Sequence, residues 1–195
     1  KHIENIRHFN LKPVVAINKF YTDTDEEIEI VKKRCEELGV RAAIYNGWEK
    51  GGEGALELAE LVRDAAESCT TCFEPLYDFD WDIEKKLHTI ATKMYGADHV
   101  EYTVKAKSQM AQFEKIGLDK LPVCVAKTQK SLSDDQYKLG RPKNFTVKIR
   151  EFEIAAGAGF IIPIAGTIMR MPGLPSMPSA EKIDIDNDGN ISGLF

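Results

Sequence analysis

The feature that most constrains this chain is an ordered run of patterns near its start: apolar strand, capped helix, strand, helix. Pro13-Val14-Val15-Ala16-Ile17-Asn18 is a short, mostly apolar run rich in β-branched residues. That is the pattern of a strand covered on both faces, as in a parallel sheet. Thr24-Asp25-Glu26-Glu27 follows as a capping box, in which the Thr24 hydroxyl accepts from the Glu27 amide and the Glu27 carboxylate reaches back. The residues after it place Ile28, Val31, Cys35 and Leu38 on one helical stripe, and Gly39 ends it. Residues 40–45 read as the next strand. Residues 53–67 read as a second amphipathic helix, with Leu58, Leu61, Val62 and Ala65 inward. Strands joined by a helix run parallel, so residues 1–75 are expected to form a βαβα unit, part of a Rossmann-like α/β fold.

The remainder, residues 76–195, reads as a smaller α+β portion. A helix capped by Asp80 or Asp82 is expected through Tyr95, with Ile83, Leu87, Ile90 and Met94 at helical spacing and Gly96 at its end. A strand at 100–104, a short helix near 108–116 and a buried strand at 122–126 follow. From Phe145 onward the pattern is strands and turns: 146–154 alternates and 160–164 is apolar. Met171-Pro172-Gly173-Leu174-Pro175 cannot be a helix interior. Residues 183–185 and 191–195 flank the turn Asn187-Asp188-Gly189-Asn190 and read as a closing β-hairpin.

Composition narrows the function classes. The chain has 195 residues, 43% of them apolar, enough to bury a real core. Its formal charge is −5, which argues against a uniformly basic nucleic-acid binder. No apolar run reaches the roughly 18 residues of a membrane span, and the start, Lys1-His2-Ile3-Glu4-Asn5, lacks an apolar signal region, so a cytoplasmic protein with no membrane partner is expected. The start at Lys1 rather than Met suggests a piece of something longer. Residues 102–150 hold eleven Lys or Arg against four acids, a local balance of +7 that suits a small anion such as a phosphate or carboxylate, or simply a solvated face.

Several motifs carry less than they suggest. Cys69-Thr70-Thr71-Cys72 has CxxC spacing but no second ligand pair for a zinc site. Asp184-Ile185-Asp186-Asn187-Asp188-Gly189 imitates the start of an EF-hand, yet its twelfth position is Phe195 rather than a bidentate Glu. No metal site is expected. Gly157-Ala158-Gly159 lacks the third glycine of a dinucleotide fingerprint, and no GxxxxGK[ST] loop exists to cradle a triphosphate. The four histidines, His2, His8, His88 and His99, have no spaced catalytic partner, so the catalytic residues stay unknown.

Two aromatics do better. Phe20 lies just past the first strand, and Trp48 lies just past the second within Asn46-Gly47-Trp48-Glu49-Lys50-Gly51-Gly52. Ligands of open α/β sheets collect at the carboxyl ends of strands. If the strands are neighbours, both rings project from one rim and can hold a flat heteroaromatic. Each face-on contact is worth roughly 0.5–1.5 kcal/mol beyond area burial. The glycines flanking Trp48 would let a loop fold over such a ligand. Ordinary packing is an equal alternative for both rings.

Taken together, these residues resemble the formate–tetrahydrofolate ligase family. The likeness rests on Pro13 through Phe20 with Thr22-Asp23-Thr24, on Asn46 through Gly52, on Lys127-Thr128-Gln129-Lys130-Ser131-Leu132-Ser133-Asp134, and on Leu139-Gly140-Arg141-Pro142. It continues through Gly157–Pro163, Met169–Pro175 and the closing hairpin, and so covers nearly the whole chain. The resemblance implies the C-terminal third of an oligomeric, ATP- and Mg-dependent ligase. Such an enzyme phosphorylates formate and passes the formyl group to N10 of tetrahydrofolate. It implies that Phe20 and Trp48 sandwich the pterin and that Ile44 lines the same pocket. It also implies that the phosphate-binding loop lies upstream, so that this piece alone would be inactive. Lys127, Arg141 and Lys143, in the basic stretch, are candidate contacts for the nucleotide or the folate glutamate tail, with a structural loop role as the alternative. For the whole segment, the alternative to ligand binding is a scaffold that holds subunits together.

Overall fold

A computed structural model of the chain describes residues 1–70, 73–168 and 176–193. It opens on a helix the sequence reading did not anticipate, α1 (His2–Arg7), too short to carry a readable period. Strand β1 (Val14–Asn18), helix α2 (Asp25–Glu37) and strand β2 (Arg41–Tyr45) follow as expected. The two strands pair parallel, from Val14 opposite Arg41 to Asn18 opposite Tyr45. The capping box closes in both directions, the Glu27 amide donating to Thr24 Oγ1 at 3.3 Å and the Thr24 amide to Glu27 Oε2 at 2.9 Å. Gly39 takes φ 63° just past the end of α2, a conformation that costs a residue without Cβ little.

One expectation fails here. β1 is not covered on both faces: Ala16 and Asn18 are exposed, and Val14, Val15 and Ile17 are half-buried. Among the described residues this sheet has two strands, and in β2 only Ala43 is fully buried. The segment after β2 is a helical turn, α3 (Gly47–Lys50), then a 3-10 turn at Gly51–Ala55 and helix α4 (Leu56–Glu67). A two-stranded sheet is too narrow to cover the expected stripe of α4. Leu58, Leu61 and Ala65 are half-buried, whereas Val62 is 50% exposed.

The second portion holds the larger core. Helix α5 (Ile83–Thr89) is capped by Asp82, whose carboxylate accepts from the Lys85 amide at 2.7 Å. The chain then continues as a π-helix, Ile90–Tyr95, to Gly96 in the left-handed region, so the expected single α-helix changes character in its last six residues. Strand β3 (His99–Tyr102) is followed by helix α6 (Val104–Lys115), which starts four residues earlier than expected because Thr103 accepts from the Ala106 amide at 3.1 Å. β3 pairs parallel with β4 (Thr146–Ala155), and β4 pairs antiparallel with β5 (Phe160–Ala165). A bulge between Ile149 and Glu151 lets Ile149 and Phe152, three residues apart, both face the core.

The expected strand at 122–126 is present in an interrupted form. Ile161 donates to Pro122 and Cys124 to Ile161; Ala126 donates to Pro163 and Ala165 to Ala126. The missing rung is the one Pro163, which has no N–H, would donate, so the pairing reduces to isolated bridges at Val123–Ile161 and Ala126–Ile164. Of this segment only Val123 is buried. Leu87, Val147, Ile149, Phe152 and Ile161, all at most 2% exposed, form the centre of the core. The closing hairpin is short, β6 (Asp184–Ile185) against β7 (Ile191–Ser192), and the Asp186 carboxylate closes its turn by accepting from Asp188 and Asn190. Among the described residues no helix is long and apolar enough to cross a membrane.

Helix α1 joins the two portions. Arg7 Nη2 donates to the Leu38 carbonyl at 2.7 Å, and Asn5 Nδ2 donates to Met94 in the π-helix at 2.9 Å. Glu4 accepts a forked pair from Arg141 at 2.6 and 2.8 Å. That guanidinium holds the Glu4 carboxyl below the usual carboxylate range.

Candidate functional site: an aromatic rim at the ends of two parallel strands

The ladder of β1 and β2 ends where the Lys19 amide donates to the Tyr45 carbonyl at 3.0 Å. Beyond it β1 turns sharply. The Phe20 amide donates to Asp23 Oδ2 at 2.8 Å, and the Asp23 amide donates back to the Phe20 carbonyl at 3.1 Å. This turn fixes the backbone that carries the Phe20 ring. On the other strand Trp48 sits in α3, and its indole Nε1 donates to the Lys19 carbonyl at 2.7 Å. The indole is thereby tied to the residue that precedes Phe20, which brings the two predicted rings to one rim. Neither stacks on the other, and each is more than half exposed, Phe20 by 54% and Trp48 by 58%. Ile44, opposite Ile17, is half-buried just behind them.

Two of the glycines around Trp48, Gly47 and Gly54, act differently from the expectation of a loop free to fold over a ligand, whereas Gly51 and Gly52 stand in open space. A Cβ on Gly47 would lie 2.4 Å from the Tyr45 hydroxyl, and one on Gly54 would lie 2.2 Å from the Asn46 carbonyl oxygen. Close packing, not mobility, requires glycine at both positions. Asn46 Nδ2 donates to Glu49 Oε2 at 2.6 Å, and the Asn46 amide donates to Gly54 at 3.0 Å, which folds residues 46–54 into a compact support for the indole. Sequence reasoning missed two contributors to the rim. Asp23 holds the Phe20 turn, and an Asp three residues past an exposed aromatic was a readable turn signal. Tyr21, 86% exposed, is a third ring beside Phe20, and nothing in its spacing marked it.

The basic candidates lie elsewhere and are differently engaged. The Lys127 ammonium donates to the carbonyls of Thr128 at 2.9 Å, Ser133 at 3.1 Å and Ser131, and it sits 5.1 Å from the Tyr95 ring centre. Burial holds it below the usual lysine range, against the opposing pull of Asp134. Arg141 is paired with Glu4, and Lys143 is exposed without a hydrogen bond to any described residue. Cys72, half of the CxxC, lies outside the described residues, as does Met169–Pro175. Among the described residues no three metal-ligating side chains converge.

The fold and the rim define a class: an α/β protein that presents exposed, anchored aromatics at the carboxyl ends of parallel strands, the end at which open α/β sheets collect ligands. The family model for formate–tetrahydrofolate ligase matches residues 1–195, the whole chain. This protein belongs to that family.

Proposed function

We propose that Phe20 and Trp48 grip the two faces of the pterin ring of tetrahydrofolate, with Ile44 against its edge. The observation that carries this reading is the bond from Trp48 Nε1 to the Lys19 carbonyl. It fixes an exposed indole beside an exposed phenyl without letting either ring bury the other. Rings open to solvent argue against burial in this chain's own core, one form of the scaffold alternative, the other being a contact between subunits. The reaction served is ATP-dependent formylation of tetrahydrofolate at N10. Formate takes the γ-phosphoryl group of ATP to give formyl phosphate and ADP. N10 then attacks the formyl carbon, and inorganic phosphate leaves. An acyl phosphate is a good acyl donor where formate is not. The part assigned to this chain is to hold the pterin so that N10 meets the activated carbon. The 195 residues contain no GxxxxGK[ST] loop, so phosphoryl transfer from ATP is assigned to residues outside them.

Tryptophan fluorescence of the intact protein during titration with tetrahydrofolate tests this. The chain has two tryptophans, so Trp81→Phe leaves Trp48 as the only reporter. A saturable change that disappears in Phe20→Ala is the expected result. A protein that keeps full affinity in both Phe20→Ala and Trp48→Ala would overturn the reading.

A further inference from the structure

We propose that a second, polar cavity at the carboxyl end of β5 binds the amino edge of a planar nitrogen heterocycle of the aminopurine or aminopyrimidine class. The cavity has a volume of about 160 Å³, and Thr128, Gln129, Asp134, Gln136 and Thr167 supply its polar wall. Ala165 and Ile168 complete the lining with apolar surface on which the face of a ring can rest.

The frame around this cavity is held from several sides. Lys127 gathers three carbonyls of the 128–133 loop onto one ammonium. Beneath them Ser131 and Ser133, both buried, bond to each other at 3.0 Å, and Ser133 Oγ donates to the Asp135 carbonyl at 3.0 Å. Asp134 Oδ2 accepts from the Lys148 amide at 3.0 Å, which pins the carboxylate to β4. On the opposite wall Arg150 donates to the carbonyls of Gly166 and Ile168, each at 3.4 Å. Gly166, at φ 65°, runs so close to the loop that a Cβ there would lie 2.8 Å from the Asp134 carbonyl oxygen. A site whose walls are fixed by a supporting shell is prepared for a ligand before the ligand arrives.

The groups facing the cavity are by contrast unspent. The carboxamides of Gln129 and Gln136 and the Thr167 hydroxyl make no hydrogen bond to any described residue. Asp134 Oδ1 accepts none, and the Thr128 hydroxyl, which accepts from the Lys130 amide at 3.3 Å, keeps its proton. One carboxylate, two carboxamides and two hydroxyls, with no cationic side chain in the lining, disfavour phosphate and carboxylate. They favour a neutral ligand rich in N–H groups. Carboxamides reading an adjacent amino group and ring nitrogen, and carboxylates accepting from an exocyclic amine, are the pairings by which proteins recognise amino-bearing bases. The volume, several times the roughly 30 Å³ share of one water, suits a one- or two-ring heterocycle.

Both an adenine and a pterin carry this edge. That choice of probes rests on the function proposed above, whereas the cavity itself does not. The test is calorimetric titration of the Phe20→Ala protein, in which the aromatic rim no longer grips a pterin, with adenosine and with 6-methylpterin, and with inosine as the analogue lacking the amino group. At least one amino-bearing probe should bind, inosine at least tenfold more weakly. Gln129→Ala/Gln136→Ala, which alters two exposed residues and spares the frame, should lower that affinity at least tenfold, and Asp134→Asn should do the same. The double variant keeps the test decisive if Asp134→Asn fails to fold. Tighter adenosine binding would identify a nucleotide as the source and tighter 6-methylpterin binding a folate. Loss of the tetrahydrofolate response in Phe20→Ala bears on the aromatic rim alone. Absence of binding by both amino-bearing probes, equal binding of inosine, or survival of binding when the double variant is added to Phe20→Ala would each overturn the proposal.

Discussion

The molecule contains two parallel strand pairs built alike and finished differently. β1 and β2 share five register pairs, and β3 and β4 share four. In the first pair the strands stay half-exposed and their ends carry anchored aromatics. In the second, β5 and the 122–126 segment widen the sheet, and helices α5 and α6 seal it over Val147, Ile149 and Phe152. The buried core and the exposed aromatics thus lie in different sheets. Among the described residues the second sheet carries most of the fully buried core, and the first buries little beyond Ala43 and its flanking helix contacts.

The sharpest way to break this contrast is a matched pair of truncations. Ile149→Ala, at a fully buried position, should cost about 2–5 kcal/mol, whereas Ile17→Ala, half-buried in β1, should cost roughly half as much. Urea denaturation followed by circular dichroism measures both, and equal losses would erase the distinction. Next in size is ligand contact. Trp48→Ala should weaken tetrahydrofolate binding by about 1–3 kcal/mol, a rise in Kd of about fivefold to 150-fold, while the urea midpoint moves little.

A third test probes the sealed region through pH. Burial raises the Tyr95 hydroxyl from 10.0 to about 12. The unfolded chain therefore releases this proton first, and the stability it contributes, complete below pH 10, drains away as pH rises through about 12. Tyr95→Phe should flatten that alkaline decline in melts recorded from pH 9 to 12. The smallest effect belongs to the exposed fork between Arg141 and Glu4. Glu4 titrates lower when folded, so its contribution is present above the ordinary value of 4.5 and is lost as pH falls through the lowered one. Arg141→Ala should shift the melting temperature least of these variants, with the difference confined to pH above that range.

How much of this was legible in the sequence depended on how local each cause was. The capping box at Thr24 and Glu27, the Gly39 stop and the parallel β1–β2 pair rest on neighbouring residues, and all were readable. The exposure of Ala16 and Asn18 was not, because a strand's own residues do not record how wide its sheet is. The interruption at 122–126 comes from Pro163, some forty residues away, whose missing N–H matters only once the two segments meet. Val104 invited a strand assignment through its β-branched side chain, yet the Thr103 cap places it in the first turn of α6. At the rim, Phe20 and Trp48 could be singled out by position. The carbonyl that joins them could not, since a backbone oxygen carries no sequence signature.

That carbonyl gives the rim a property of its own. The Trp48 indole proton is held by the same residue whose amide forms the last rung between β1 and β2. Any fraying of the strand ends must release both protons to solvent together. In heavy water the side-chain and main-chain signals should therefore fade at one rate. A single tryptophan resonance would then time how often the support beneath the exposed indole comes apart.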